Sequence, residues 1–280
     1  MSATTASGAG TETTPRARAV NDLRVFLLGG LTSYRALFTW LSPWIMVPTF
    51  VIGPLVQILL FAYVGRAAGF QDDRFFLLGN ALHYVSIPCV FAMANTIGGE
   101  RYSQTLPLLL VTPARRVPLF LGRSLPAILN GFAVAVVGLV LGALVLRVQL
   151  PAGSLLPLAL VVTVATFSCT GIGLLTAAIA LRVRETATLA NIVFGVLLVF
   201  CGVNVPVAAL PGWMAAVSPW LPLTHGIIAA RDVASGAAVS AVGGLLAREA
   251  LLGVGYVVLG LALLAWFERE SRRLATLETA

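Results

Sequence analysis

The groups in this sequence that could carry bond-making chemistry are few and scattered. His83 and His225 stand alone, Cys89, Cys169 and Cys201 each fall inside an apolar run, and Asp72 and Asp73 sit together between Arg66 and Arg74. A metal site needs several His, Cys or carboxylate ligands at recurring spacings, and a nucleophile needs a base beside it; the sequence offers neither pattern. The histidines therefore read as hydrogen-bonded core or interface residues rather than proton relays. The cysteines read as small core residues, and the Asp72–Asp73 pair as a solvated turn. All eighteen basic residues are arginine, so the lysine of a G-x-x-x-x-G-K-[ST] phosphate loop is missing. No catalytic residue, metal or cofactor is expected on this chain.

The densest polar stretch is GGERYSQTLPLLLVTPARR, residues 98–116. Within it Tyr102, Leu106, Leu109 and Leu110 recur at i, i+4, i+7 and i+8, which lays an apolar stripe along one side of a short helix. Glu100 and Arg101 stand before the stripe, and Thr112, Pro113, Arg115 and Arg116 close it. The chemistry of such an elbow is contact with a partner surface. A passive turn is the plain alternative.

The elements around the elbow follow from composition. Of 280 residues 59% are hydrophobic and 10% charged, with a mean hydropathy of +0.96, against roughly 25% charged in a soluble domain. The chain is expected to be an all-α integral membrane protein. A spanning helix needs about 20 apolar residues because its backbone must be satisfied within the segment. The charge-poor stretches give six crossings at about 41–64, 75–97, 118–146, 154–181, 186–205 and 248–267. None carries paired acids or a fixed charge at its centre.

Residues 206–230 contain Pro206, Pro211, Pro219 and Pro222, each of which removes an amide donor. They read as one or two short re-entrant or interfacial helices, with a kinked seventh span as the alternative; Trp213 and Trp220 suit the headgroup level. Residues 1–19 lack the apolar core of a secretory signal and are expected to form a disordered cytoplasmic tail. Residues 20–41 mix arginine with Leu, Phe and Trp, as an interfacial helix or an early extension of the first span would. Residues 271–280 form a second tail.

With the N-terminus inside, the inner segments hold thirteen arginines and the outer ones five. That bias places both termini and the elbow in the cytoplasm. The net charge of +7 thus reflects topology and headgroup anchoring, and no nucleic-acid partner is expected. Gly138 and Gly142 form a G-x-x-x-G that would allow close helix packing, in a dimer or otherwise. Arg231 with Asp232 reads as an outer-face ion pair.

The elbow's pattern E-R-x-x-x-T-L-x-x-L-L-x-T-P-x-R, followed by L-F-L-G-R at 119–123, resembles the cytoplasmic loop of type-2 ATP-binding-cassette (ABC) exporter permeases, among them bacterial drug-efflux subunits. ALPGWMAAVSPWLPLTHGIIAARDVASG, residues 209–236, is similar to the segment before the last span of that family. The resemblance covers residues 20–270, and six spans with both termini inside is the family's layout. It implies that residues 100–113 are a coupling helix docking in a groove of a separate ATPase subunit, with Glu100, Arg101, Thr105, Leu106, Thr112 and Pro113 at motif positions. Gln104 stands where the family usually has Gly, and Pro107 where it often has Glu. Proline is tolerated in the first helical turn, so the helix would begin near Leu106.

The resemblance further implies two ATPase copies carrying ATP and magnesium, and a second permease copy, identical or a sibling, in the inner (plasma) membrane. Phe91, Met93, Phe194 and Phe200 are candidates to line a substrate path between the copies. Spans without fixed charge suit an amphiphilic cargo such as a drug, antibiotic or lipid. Within the family the alternative is a polysaccharide or lipid-linked glycan exporter. From other classes, an intramembrane enzyme would need convergent polar groups in its spans, which these spans are expected to lack, and a passive channel would need no ATPase.

Overall fold

The structure, a computed structural model, describes residues 24, 26–32, 44, 47–70, 72–94, 116–182 and 186–274. Among them the regular elements are all helical. A π-helical turn at Pro48–Ile52 leads into α1 (Gly53–Ala67), and α2 (Asp73–His83) is followed by a second π-helical turn at Ile87–Phe91. Then come α3 (Arg116–Leu146), α4 (Leu155–Ala180), α5 (Thr186–Phe200), the short α6 (Gly212–Val217), α7 (Thr224–Ala234) and α8 (Val239–Leu274).

Among the described residues five stretches are long and apolar enough to cross a membrane: Pro48–Ala67, Asp73–Ala94, Ser124–Leu146, Ala152–Ala180 and Val239–Phe267. Four correspond to expected crossings. The fifth starts at Val239 rather than near 248, which moves Glu249 from the mouth of the span to its inside. The crossing expected over 186–205 is a helix of 15 residues, about 22 Å long at 1.5 Å per residue, short of the ~30 Å hydrocarbon layer. α8 runs on to Leu274, into what the sequence suggested as a tail.

The segment between α5 and α8 is two short helices and not a kinked seventh span. α7 and α8 are joined by a turn at 235–238, closed by Ala237 N donating to Asp232 O at 2.9 Å, so they run antiparallel. The first amides of α7 meet Glu249. That residue lies ten positions into α8 (249 − 239), or about 15 Å from its start. The hairpin therefore begins deep inside the bundle and rises to the end where α2 and α8 begin.

Pro88 shapes α2. It has no amide to give and its ring crowds the preceding turn. The chain changes step there, with Ile87 N donating to Tyr84 O at 3.1 Å and Cys89 N to Val85 O at 3.3 Å. The opened turn fits closely against α4, where a Cβ on Gly173 would lie 2.1 Å from the Cys89 carbonyl oxygen. Only glycine permits that approach.

The G-x-x-x-G of α3 packs within the chain. A Cβ on Gly142 would stand 2.5 Å from Leu77 Cδ1, and one on Gly138 would touch Pro54 and Ala81. Cys89, Cys169 and Cys201 are buried and unpaired, as expected of small core residues. Residues 26–32 are helical and rest against α3 near Gly122 and Leu125. The 1–19 tail and the elbow at 100–113, with Glu100, Arg101, Thr105, Leu106, Thr112 and Pro113, lie outside the described residues.

Candidate functional site

Three polar centres organise the described helices, and the first lies where an apolar span interior was expected. The first links α1, α2 and the chain after α5. Gln57 Nε2 donates to Asn80 Oδ1 at 3.1 Å and reaches His83 Nδ1 at 3.0 Å. His83 Nε2 lies 3.1 Å from the Phe194 carbonyl oxygen. Because the carbonyl can only accept, the ring carries its hydrogen on Nε2 and accepts from Gln57 through Nδ1. Asn80 completes the chain by donating to Phe76 O at 2.9 Å and Asn204 Oδ1 at 2.8 Å.

His83 is thus the satisfied core histidine expected of it. The expectation that the spans lack convergent polar groups is corrected: four such side chains meet here and satisfy one another, as a low-dielectric interior requires. The one signal was the i, i+3 spacing of Asn80 and His83, which puts both on one face of α2. Gln57 and Asn204 lie far off in sequence, and only folding brings them together.

Aromatic rings line this centre. Phe194 tilts over the His83 ring with centroids 4.2 Å apart and meets Tyr84 at 6.5 Å and Phe91 at 6.4 Å edge-to-face. Phe91 and Phe194, both half-buried, therefore share a seam beside the Pro88 break. Phe200 lies apart from it, against Trp213 at 5.6 Å. Met93 is buried among Ala127, Leu174, Ala178 and Leu264 and faces the interior of its own bundle.

The second centre is Glu249, fully buried in α8. Its carboxylate accepts from Leu223 N at 2.7 Å and Gly226 N at 3.1 Å. It thereby caps the N-terminus of α7, where orphan amides and the helix dipole favour negative charge. Leu223 adopts a left-handed φ of 74° to bring its amide there. His225 Nδ1 stands 3.9 Å from the carboxylate and, like Ser168 Oγ, has no hydrogen-bond partner among the described residues. His225 Nδ1 therefore lacks the partner expected of a satisfied histidine, and an ionisable group does sit inside a span.

The third centre closes one end of the bundle. Arg231 does not pair with Asp232 as the sequence suggested. Its guanidinium donates to Gly202 O and Val203 O, both at 2.8 Å, and to Phe75 O at 3.2 Å, and it lies 3.4 Å over the Phe75 ring. Burial lowers its pKa to about 10, which leaves it charged at neutral pH. Asp72 and Asp73 lie at a solvent-accessible turn, as expected, and also make local contacts there. Asp72 caps α2 by accepting from Arg74 N at 3.1 Å, and Asp73 pairs with Arg66. Arg74 donates to Ala234 O at 3.1 Å and Gln149 O at 3.2 Å, tying three helix ends together.

The long apolar helices, with the broken second span and the short helices before the last one, describe a multi-pass membrane protein. The family model for the ABC-2 type transporter matches residues 30–234. The chain belongs to the ABC-2 type transporter family and is a membrane-spanning transport permease. Members of this family work with an ATPase subunit. No curated protein matches the chain closely enough to be named as a relative.

Proposed function

We propose that this chain is the permease of an ATP-driven exporter that moves an amphiphilic compound, such as a drug, antibiotic or lipid, out of the cytoplasm or the inner leaflet. Two ATPase subunits, binding ATP and magnesium, power it, and a second permease copy completes the path. The protein spans the inner (plasma) membrane with both termini in the cytoplasm, as the arginine bias supports.

The observation that carries the reading is the Pro88 break in the second span. The elbow at 100–113 follows directly on the segment that holds Ile87–Phe91, so a push on the elbow is delivered to the turn where the span is least regular. π-helical turns recur at functional sites. The Phe91–Phe194 seam beside the turn offers rings for an apolar body, and the neutral hydrogen-bonding groups behind it suit a polar but uncharged function. Phe200 extends the path toward the hairpin, and Met93 contributes only when the bundle opens.

Glu100, Arg101, Thr105, Leu106, Thr112 and Pro113 form the contact with the ATPase. The test is to coexpress the chain with its ATPase, reconstitute the complex, and compare ATP-dependent export by wild type, Glu100→Ala and Arg101→Ala. Both variants should assemble with the ATPase and lose most export. Normal export by both, in an intact complex, refutes the coupling assignment.

A further inference from the structure

At the end of the bundle where Arg74 ties three helix termini together, the charged groups surround a pocket of about 500 Å³, lined by Asp72, Arg74, Arg147, Gln149, Arg231 and Asp232 among others. Most of these charges are committed. Asp73, also on the lining, is neutralised by Arg66, which lies off it. Asp72 caps α2, Arg74 holds the carbonyls of Ala234 and Gln149, and Arg231 holds those of Gly202, Val203 and Phe75.

Arg147 and Asp232 are different. Both are exposed and line the same pocket, yet they do not pair with each other. Neither side chain has a hydrogen-bond or ion-pair partner among the described residues. With Asp73 neutralised, three arginines face two carboxylates, so the lining keeps a positive excess.

The backbone singles out Arg147 independently. It ends α3 with a left-handed φ of 55°, and Val148 N donates to Ala143 O at 3.0 Å. This is the 6→1 bond of a Schellman cap, whose left-handed position is usually glycine. An arginine there strains the backbone where glycine would not. The cap alone does not explain the residue, whereas a use for its side chain in the pocket does.

We propose that this pocket binds an aminophosphate headgroup, with the phosphate on Arg147 and the ammonium on Asp232. Arginine suits phosphate through its planar set of donors, and the free carboxylate selects a primary amine. The pocket sits at helix ends, the level of lipid headgroups. Leu144, Leu155 and Leu156, close to its rim in sequence, are exposed and apolar, as contacts for acyl chains would be. Phosphatidylethanolamine fits this chemistry, and free phosphoethanolamine is its water-soluble counterpart. The inference stands apart from the export reading.

The test uses the full chain purified in detergent from mixed vesicles of phosphatidylethanolamine, phosphatidylcholine and phosphatidylglycerol, with retained lipid counted by native mass spectrometry. Wild type should retain phosphatidylethanolamine above the other two. Arg147→Gly should lower that retention about tenfold, the loss of one charge-assisted contact, while its melting temperature stays equal or rises because the cap loses its strain. Asp232→Asn should abolish the preference for phosphatidylethanolamine over phosphatidylglycerol. A melting-temperature rise on adding phosphoethanolamine to delipidated wild type, absent in Arg147→Gly, would instead assign the site to the soluble ligand. Equal retention of all three headgroups by wild type, or unchanged retention in Arg147→Gly, overturns the proposal if phosphoethanolamine also gives no shift.

Discussion

The carboxylate of Glu249 accepts a 2.7 Å hydrogen bond from the backbone nitrogen of Leu223, and through it the last span holds the start of α7. The pairing is between a side chain and the open end of a helix. It resists extraction into lipid because neither side has an alternative partner there.

Glu249→Ala should therefore destabilise the protein by about 2–6 kcal/mol, the sum for two buried amides left without acceptors. Glu249→Gln keeps an oxygen for one of them and should cost less. Thermal unfolding in detergent, followed by tryptophan fluorescence because Trp213 and Trp220 lie just before α7, reads both. Identical melting of all three proteins would show that the carboxylate does not hold the hairpin.

The Gln57–His83 contact should appear as an energetic coupling. Gln57→Ala and His83→Ala each strand a buried partner, so each should cost about 1–3 kcal/mol. The double variant should cost less than the sum by about 1 kcal/mol. Strict additivity would mean that the two side chains do not depend on each other.

Gly142 faces Leu77 and Ile58 of its own chain. Gly142→Val should overpack that contact and lower stability by about 1–3 kcal/mol without changing the oligomeric state measured by light scattering. Dissociation of an oligomer with unchanged melting would place this glycine at a contact between copies instead.

Arg231→Met should cost about 2–4 kcal/mol, because three carbonyls lose a donor in a buried setting. Its pKa is lowered by burial to about 10. Folded and unfolded states are then both protonated at lower pH, and the proton balance favours the folded state only as pH rises above that value. The stability difference between wild type and Arg231→Met should accordingly be flat from about pH 5 to 9. A slope in that window would mean that another group titrates with the contact.

The helical class and four of the crossings were legible because long apolar runs have few other outcomes in a chain this poor in charge. That 206–230 would be short helices and not a straight span was legible from Pro206, Pro211, Pro219 and Pro222, which forbid a straight helix. The start of the last span was not. Glu249 looks like a boundary to any rule that reads a carboxylate as a mark of water, and only the amides of Leu223 and Gly226, brought in from another element, make its burial tolerable. Arg231 misled for the same reason: its neighbour Asp232 suggested a pair, while its partners are backbone carbonyls, which no residue type announces. Asn80 and His83 were visible on one helical face, but their closure by Gln57 and Asn204 is a fact of packing. The elbow's motif is legible as sequence, and its residues lie outside the described part of the structure.

The order of the hairpin and the last span along the chain bears on how the protein is made. A carboxylate entering a bilayer at mid-helix costs roughly 2.5–3.5 kcal/mol, and the ribosome makes N-terminal segments first. The amides that receive Glu249 belong to residues 223 and 226, so they leave the ribosome before it. The acidic side chain can be met on arrival by a receptor already synthesised, which lets a helix with a buried carboxyl group follow the ordinary insertion route.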